Sequence, residues 1–312
     1  LIGAGMMGAG IGASAALAGH ETVLYDIDET KAAAGLGACL SNIDQLVEGG
    51  LVETGSAADA KQLLSTCTQL NEAVQGCGLV IEAVTEDLNL KRKIFRRLDE
   101  IVPPETILTS NTSGLRISDI VTEMKHPERT ATTHFWYPAH LVLLVEIVLG
   151  EKTDPKIGET LRDLLTAWGK SPVVVKKDLP GQLANRILQA VIREAVDIVE
   201  SGLASAEDVD TAIKAGMALR FPVWGPLEHI DGVGLDLALS VQKYVLPDIA
   251  NNTSPSDYLS SLCADGKLGF RTGQGFYDWS VKSMPDLAAC RDSFIMQTVK
   301  LLKTLKEQGP CH

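Results

Sequence analysis

No apolar run among the 312 residues reaches the roughly 18 needed to cross a bilayer, so no membrane span is expected. The six cysteines, at 39, 67, 77, 263, 290 and 311, form no CxxC and no paired Cys/His spacing. That pattern predicts neither a metal site nor a disulfide framework, and scattered thiols suit a reducing, cytoplasmic setting. Cations are scarce. Lys and Arg number 28 against 40 Asp and Glu, for a net charge of −12. A nucleic-acid or anionic-membrane surface needs clustered cations, so neither partner is expected. There is no internal repeat and no low-complexity tract. What remains is ordinary globular composition, 45% hydrophobic and 22% charged, in a chain long enough for two domains.

The first 28 residues hold the densest signal. Gly3, Gly5 and Gly8 form G-x-G-x-x-G, followed by a small-residue helix from Ala9 to Ala18 with Gly19 as its stop. "ETVLYDID" then reads as a strand ending at Asp26. In this setting the first glycine makes the tight turn, the second admits a pyrophosphate, and the third lets helix and strand pack. Phosphates then meet the free N–H groups and partial positive charge of the helix start. The cofactor-binding candidates here are Gly3, Gly5, Met6, Met7, Gly8 and Asp26. A carboxylate at the strand end accepts from both ribose hydroxyls and repels a 2′-phosphate, so the cofactor is read as NAD rather than NADP. "LIGAG" looks like the end of a strand, so a few residues are expected before Leu1.

Strands and helices keep alternating. Helices are predicted over 30–49 and 57–64, a buried strand over 78–84, and an amphipathic helix over 89–102 with Leu90, Ile94, Leu98 and Ile101 on one face. The strand at 106–111 delivers Asn111, Thr112 and Ser113 to the rim where open parallel sheets bind ligands. Two more strands are predicted at 130–137 and 141–148, then a helix over 153–168 and a strand over 172–177. His134 falls inside the first of these strands. Glu146 sits in the apolar run "LVLLVEIVLG", where a carboxylate is costly without a partner. Pairing it with His134 across neighbouring strands solves this. A carboxylate on one ring nitrogen fixes the tautomer and leaves the other nitrogen a general base.

Beyond "KDLPGQLANRIL" the sequence turns helical. A long helix starts near Gln182 and stops at Gly202. A second, capped by Ser205, runs through "SAEDVDTAIKAGMALR", and a third starts near Gly232. Phe221 and Trp224 are read as core packing, with lining of the cleft as the alternative, and His229 as structural. A further helix is expected within 281–312. The fold class is thus α/β: a Rossmann-type doubly wound sheet over 1–179 and an all-helical domain over 180–312.

These landmarks, "GAGMMGAGI", "LVIEAVTEDLNLK", "SNTSGL", "THFWYPAHLVLLVEIV", "GPLEHIDGVGLD" and "GKLGFRTGQGFYDW", resemble the 3-hydroxyacyl-CoA dehydrogenase family. The resemblance extends to relatives acting on free β-hydroxy acids, among them the lambda-crystallin/gulonate dehydrogenase branch and a pyridoxine-degradation dehydrogenase. It implies NAD-dependent oxidation of a 3-hydroxyacyl substrate, such as 3-hydroxybutyryl-CoA, to the 3-oxo compound. His134 would be the base, oriented by Glu146, while Ser113 and Asn185 would bind substrate oxygens. Glu86, Lys91, Asn111 and Arg271 would lie near the cofactor, and the chain would form a homodimer. Two departures bear on the substrate. Tyr137 stands where many members carry Asn, and the segment 36–59 lacks the cations that meet CoA phosphates. A free β-hydroxy acid is the alternative substrate, and a non-catalytic NAD-binding protein is the reading from another class. A thioester substrate is expected to make activity sensitive to Lys91→Ala.

Overall fold

The computed structural model describes residues 1–309, in two compact units that divide after Ala184. In the first, α1 (Met6–Leu17) leads to β1 (Thr22–Tyr25), α2 (Glu29–Glu48), α3 (Thr54–Gln62) and β2 (Leu64–Cys67). A short α4 (Leu70–Ala73) then leads to β3 (Leu79–Glu82), α5 (Leu88–Ile101), β4 (Ile107–Ser110) and the short α6 (Ile117–Ile120). The unit closes with β5 (Thr130–Phe135), β6 (Leu144–Val148), α7 (Pro155–Ala167) and β7 (Ser171–Val175).

β1 pairs with β2, and β3 to β7 form a five-stranded run in chain order. Ile2 bridges in parallel to both Tyr25 and Glu82, which places the first residues between the two sets. The chain therefore winds outward on one side of residues 1–3 and then on the other, and the crevice at such a switch point is where ligands bind. Every pairing is parallel except β5 with β6. That reversal sets His134 directly opposite Glu146. α1 is buried nearly all round because Ala and Gly dominate it, and small side chains let α2 approach.

Two features depart from the sequence reading. β2 is a short strand with two of its four residues exposed, too irregular to show in the pattern. In α5, Leu90 is 39% exposed and Lys91 takes the inward position beside Phe95 and Leu98. The apolar stripe yields there because a buried carboxylate, Glu82, needs a cation.

The second unit holds most of α8 (Ala184–Glu200), then α9 (Ala206–Ala212), α10 (Pro226–Val233), α11 (Leu235–Val245), α12 (Asp257–Ala264) and α13 (Met284–Gln308). Ser205 caps α9 as expected, but the α-helix ends at Ala212 and widens into a π-turn over Ile213–Met217. The helix expected near Gly232 starts earlier, at Pro226, whose fixed φ suits a first helical position. Gly234, at φ 104, then breaks α10 from α11. α12 was not read from the sequence. Residues 310–312, the end of the segment in which the C-terminal helix was expected, lie outside the described residues.

Among the described residues of this unit, only Val196, Val209, Leu262 and Val299 are buried apolar side chains. Phe221 and Trp224, read as core, are 50% and 38% exposed. His229 packs edge-on against Trp224.

Candidate active site

The glycine loop has the shape a pyrophosphate requires. Gly3 holds φ 102, and a Cβ there would stand 2.8 Å from the Ala83 carbonyl oxygen. A Cβ on Gly8 would meet the Gly3 carbonyl oxygen at 2.0 Å, so the loop closes on its helix only with glycine. Gly5 faces open space, with nothing within 4 Å of its missing Cβ. It caps α1 with no side chain, leaving the amides of Met6, Met7 and Gly8 aimed out of the helix start. Asp26 directly follows β1 and accepts the Ala4 N–H at 3.3 Å, which ties it to the loop. These residues fit a dinucleotide.

Three elements bring the reactive side chains together. His134 Nδ1 lies 2.8 Å from Glu146 Oε2 across the β5–β6 ladder. His134 Nε2 lies 3.1 Å from Ser113 Oγ, on the turn after β4. Asn111 Oδ1 accepts the Phe135 N–H at 2.8 Å, which fastens that turn beside His134.

Glu146 is fully buried and saturated with donors. Oε2 also accepts the Trp136 indole N–H at 3.0 Å. Oε1 accepts the amides of Leu183 and Ala184 at 2.9 and 2.8 Å. Burial pushes its carboxyl up, but the bonds from His134, Trp136 and the two amides outweigh this and bring it down to about 2. An ionised Glu146 only accepts, so the imidazole proton sits on Nδ1 and Nε2 is left bare. In the neutral ring Nε2 then accepts from the Ser113 hydroxyl.

Behind the Ser113 turn lies a second charged cluster. Lys91 is 1% exposed and donates to Glu82 Oε1 at 2.6 Å, with Glu86 Oε2 at 3.4 Å. Ser110 Oγ donates to the other Glu82 oxygen at 2.6 Å. Glu86 Oε1 collects the Thr112 hydroxyl and the amides of Ser113 and Gly114. Burial raises the Glu86 carboxyl, and these bonds with nearby Lys91 bring it below its ordinary value. Glu86 thus shapes the turn that carries Ser113. The expectation that Lys91 distinguishes a thioester substrate is corrected here: its ammonium is enclosed by carboxylates and presents nothing to a CoA phosphate.

The loop between β5 and β6 forms the other flank. Tyr137 is 51% exposed. Lys170 is buried and donates to the carbonyls of Ala139 and Val142, and burial lowers its ammonium to about 8. His140 Nε2 lies 2.7 Å from Gln45 Oε1 of α2. Asn185 and Arg271 belong to the second unit. Asn185 Oδ1 lies 3.5 Å from Gln189 Nε2, and Arg271 lines an apolar cavity of about 590 Å³.

Sequence reasoning missed Trp136, Glu82 and the 183–184 amides. Two of these carried a readable signal. Glu82 interrupts "GLVIEAV" just as Glu146 interrupts its own strand, and Trp136 is two residues from His134, the spacing that returns a strand to the same face. The backbone amides carry no side-chain signature.

Comparison with known proteins gives matches along most of the chain. Residues 1–179 match a family model described as 3-hydroxyacyl-CoA dehydrogenase, NAD binding domain, and residues 181–279 match its C-terminal domain. The chain is 33% identical over 303 residues to the 5-formyl-3-hydroxy-2-methylpyridine 4-carboxylate 5-dehydrogenase of Mesorhizobium japonicum, covering 97% of each. It is 38% identical over 290 residues to the mitochondrial hydroxyacyl-coenzyme A dehydrogenase of Rattus norvegicus, covering 89% of this chain and 90% of the relative. A crystal structure of a 5-formyl-3-hydroxy-2-methylpyridine 4-carboxylic acid 5-dehydrogenase, described as an NAD+-dependent dismutase, aligns with a TM-score of 0.89. It is 31% identical and 97% covered both ways.

Proposed function

This chain belongs to the 3-hydroxyacyl-CoA dehydrogenase family, an NAD-dependent family of oxidoreductases, and on that premise we propose that it oxidises a carbinol to a carbonyl with His134 as base. The observation that carries this reading is the cross-strand His134–Glu146 pair with Ser113 at the free ring nitrogen. NAD supplies the hydride acceptor. His134 Nε2 takes the proton of the substrate hydroxyl as the C–H bond gives up its hydride, and the carbinol becomes C=O. Glu146 holds the ring and balances the imidazolium without taking its proton. Ser113 donates to the substrate oxygen, and Asn185 is assigned to the same task by the family pattern. Asn111, Met6, Met7, Glu86 and Arg271 are assigned to the cofactor, with Lys91 acting through Glu86.

The substrate we infer is a small free hydroxy acid or a related free carboxylate. The segment 36–59 has no Lys or Arg, and the next cation, Lys61, is bound to Asp44 at 2.5 Å. CoA phosphates would find no unpaired cation there. The pyridine carboxylate dehydrogenase matches from end to end, which supports the same reading. The second reading is a short 3-hydroxyacyl-CoA, favoured by the 38% identity to the rat enzyme.

The test is NADH formation from NAD with free hydroxy acids, among them 3-hydroxybutyrate and pyridine carboxylates with a hydroxymethyl or aldehyde group, and in parallel with 3-hydroxybutyryl-CoA. Turnover of free acids alone is expected. Turnover of the thioester alone overturns the substrate assignment. His134→Ala is expected to lose roughly 10²–10⁴ in kcat/KM.

We also infer a homodimer. The second unit leaves Leu227 at 74%, Leu235 at 59% and Tyr244 at 87% exposure, an apolar surface that calls for cover.

A further inference from the structure

The four donors on Glu146 are not equivalent. Two are backbone amides fixed by the path of the chain, and one is the imidazole the carboxylate serves. The fourth is the indole of Trp136, and it shares Oε2 with His134. A carboxylate oxygen has two acceptor sites, so on Oε2 the two rings take both. Without Trp136, Glu146 would still be held by three donors, enough to satisfy a buried carboxylate. The indole is therefore not needed to keep Glu146 ionised or in place.

We propose that Trp136 is a positioning residue that moderates the proton affinity of His134, by drawing charge from the one carboxylate oxygen that stabilises the imidazolium. This rests on the reading of His134 as the base. The physics is a competition. The more negative Oε2 is, the more strongly it favours the protonated ring. A second N–H on that oxygen weakens the preference. A base that must accept a proton in one direction and return it in the other works best near the ambient pH, rather than held firmly in its charged form.

The groups around the pair are few. Ser113 faces Nε2 from the turn after β4, Glu146 faces Nδ1 from β6, and the amides of Leu183 and Ala184 face Glu146 from the start of α8. Among the described residues, no other charged side chain figures in what holds Glu146 ionised. The Trp136 and His134 ring centroids lie 5.7 Å apart and tilted by 55°, so the rings also touch as apolar bodies. Trp136→Phe keeps an aromatic ring at the position and removes the N–H.

The experiment is a pH titration followed by NMR of the protein labelled with ¹⁵N in histidine rings and tryptophan indoles. In Trp136→Phe the His134 midpoint is expected to rise relative to the unmutated chain. In the unmutated chain the Trp136 indole resonance is expected to titrate with the His134 midpoint, which needs no variant to fold. An unmoved or lowered His134 midpoint in folded Trp136→Phe overturns the proposal, and so does a flat indole resonance. A purely structural Trp136 would lower the melting temperature and leave the midpoint where it was. The acid limb of kcat/KM against pH tests the premise separately. If the NMR midpoint moves and the limb does not, His134 is not the base, while the tuning by Trp136 stands.

Discussion

At the scale of single residues, the site is governed by what buried carboxylates require. Glu82 and Glu146 each sit fully buried in a strand, and each is answered differently. Glu82 has a lysine, while Glu146 has an imidazole, an indole and two amides. Lys91→Met would leave the Glu82 charge buried without its cation. We expect a loss of about 3–5 kcal/mol, read by denaturant unfolding, with activity following stability whichever substrate is used. Glu146 makes a prediction about acid. Its carboxyl lies at about 2 in the folded chain against an ordinary 4.5, so it contributes stability above pH 4.5 that is lost as pH falls toward 2. The contribution is about 3 kcal/mol. Glu146→Gln should therefore be less stable near neutral pH and show a shallower decline between pH 4.5 and 2 in acid unfolding curves. His134 and Glu146 were legible in the sequence because a carboxylate in an apolar run demands a partner. Trp136 was only half legible: its spacing from His134 puts it on the same face, but a tryptophan near a strand end is satisfied by packing alone and shows no sign of where its N–H points.

At the scale of elements, the loop between β5 and β6 is the least predictable part of the site and the most heavily held. Five of the eight residues of "WYPAHLVL" read as strand, with only Pro138 to His140 as a break, whereas β5 ends at Phe135 and β6 begins at Leu144. In the structure Lys170, just before β7, spends its ammonium on two of the loop's carbonyls. A lysine preceding a strand is ordinarily a solvated end, and nothing in the local pattern marks it as buried. Lys170→Met would leave the carbonyls of Ala139 and Val142 without this donor. The expected cost is about 2–4 kcal/mol by thermal or denaturant melts. An increase in KM is also expected, since the loop carries Tyr137 beside the histidine strand. By contrast, the glycine loop was legible almost residue by residue, because its constraints are steric and local. A Cβ at Gly3 or Gly8 would strike backbone.

At the scale of the whole molecule, the two units are built on different terms. The first has three buried apolar clusters around its sheet. The second buries only four large apolar side chains among its described residues. Helical periodicity identified its helices other than α12, but periodicity says only that a face is apolar, not whether the cover comes from the same chain. Phe221 and Trp224, in the turn before α10, were assigned to a core by default as large aromatics and lie exposed. Sedimentation should give about twice the 33.3 kDa of one chain. Leu235→Asp should shift the equilibrium toward monomer and lower the melting temperature in a concentration-dependent way.

The Leu183 and Ala184 amides on Glu146 bear on where this chain can be divided. The matched family segments part at residues 179 and 181, and a chimera joined there respects the bounds of both matches. Yet such a junction hands the choice of residues 183 and 184, and the path of their backbone, to the donor of the second half. Those two amides saturate one oxygen of the carboxylate that orients His134. A graft made after Ala184 keeps that oxygen's native partners. A graft made at 180 imports them, and with them another protein's control over the charge beside the histidine.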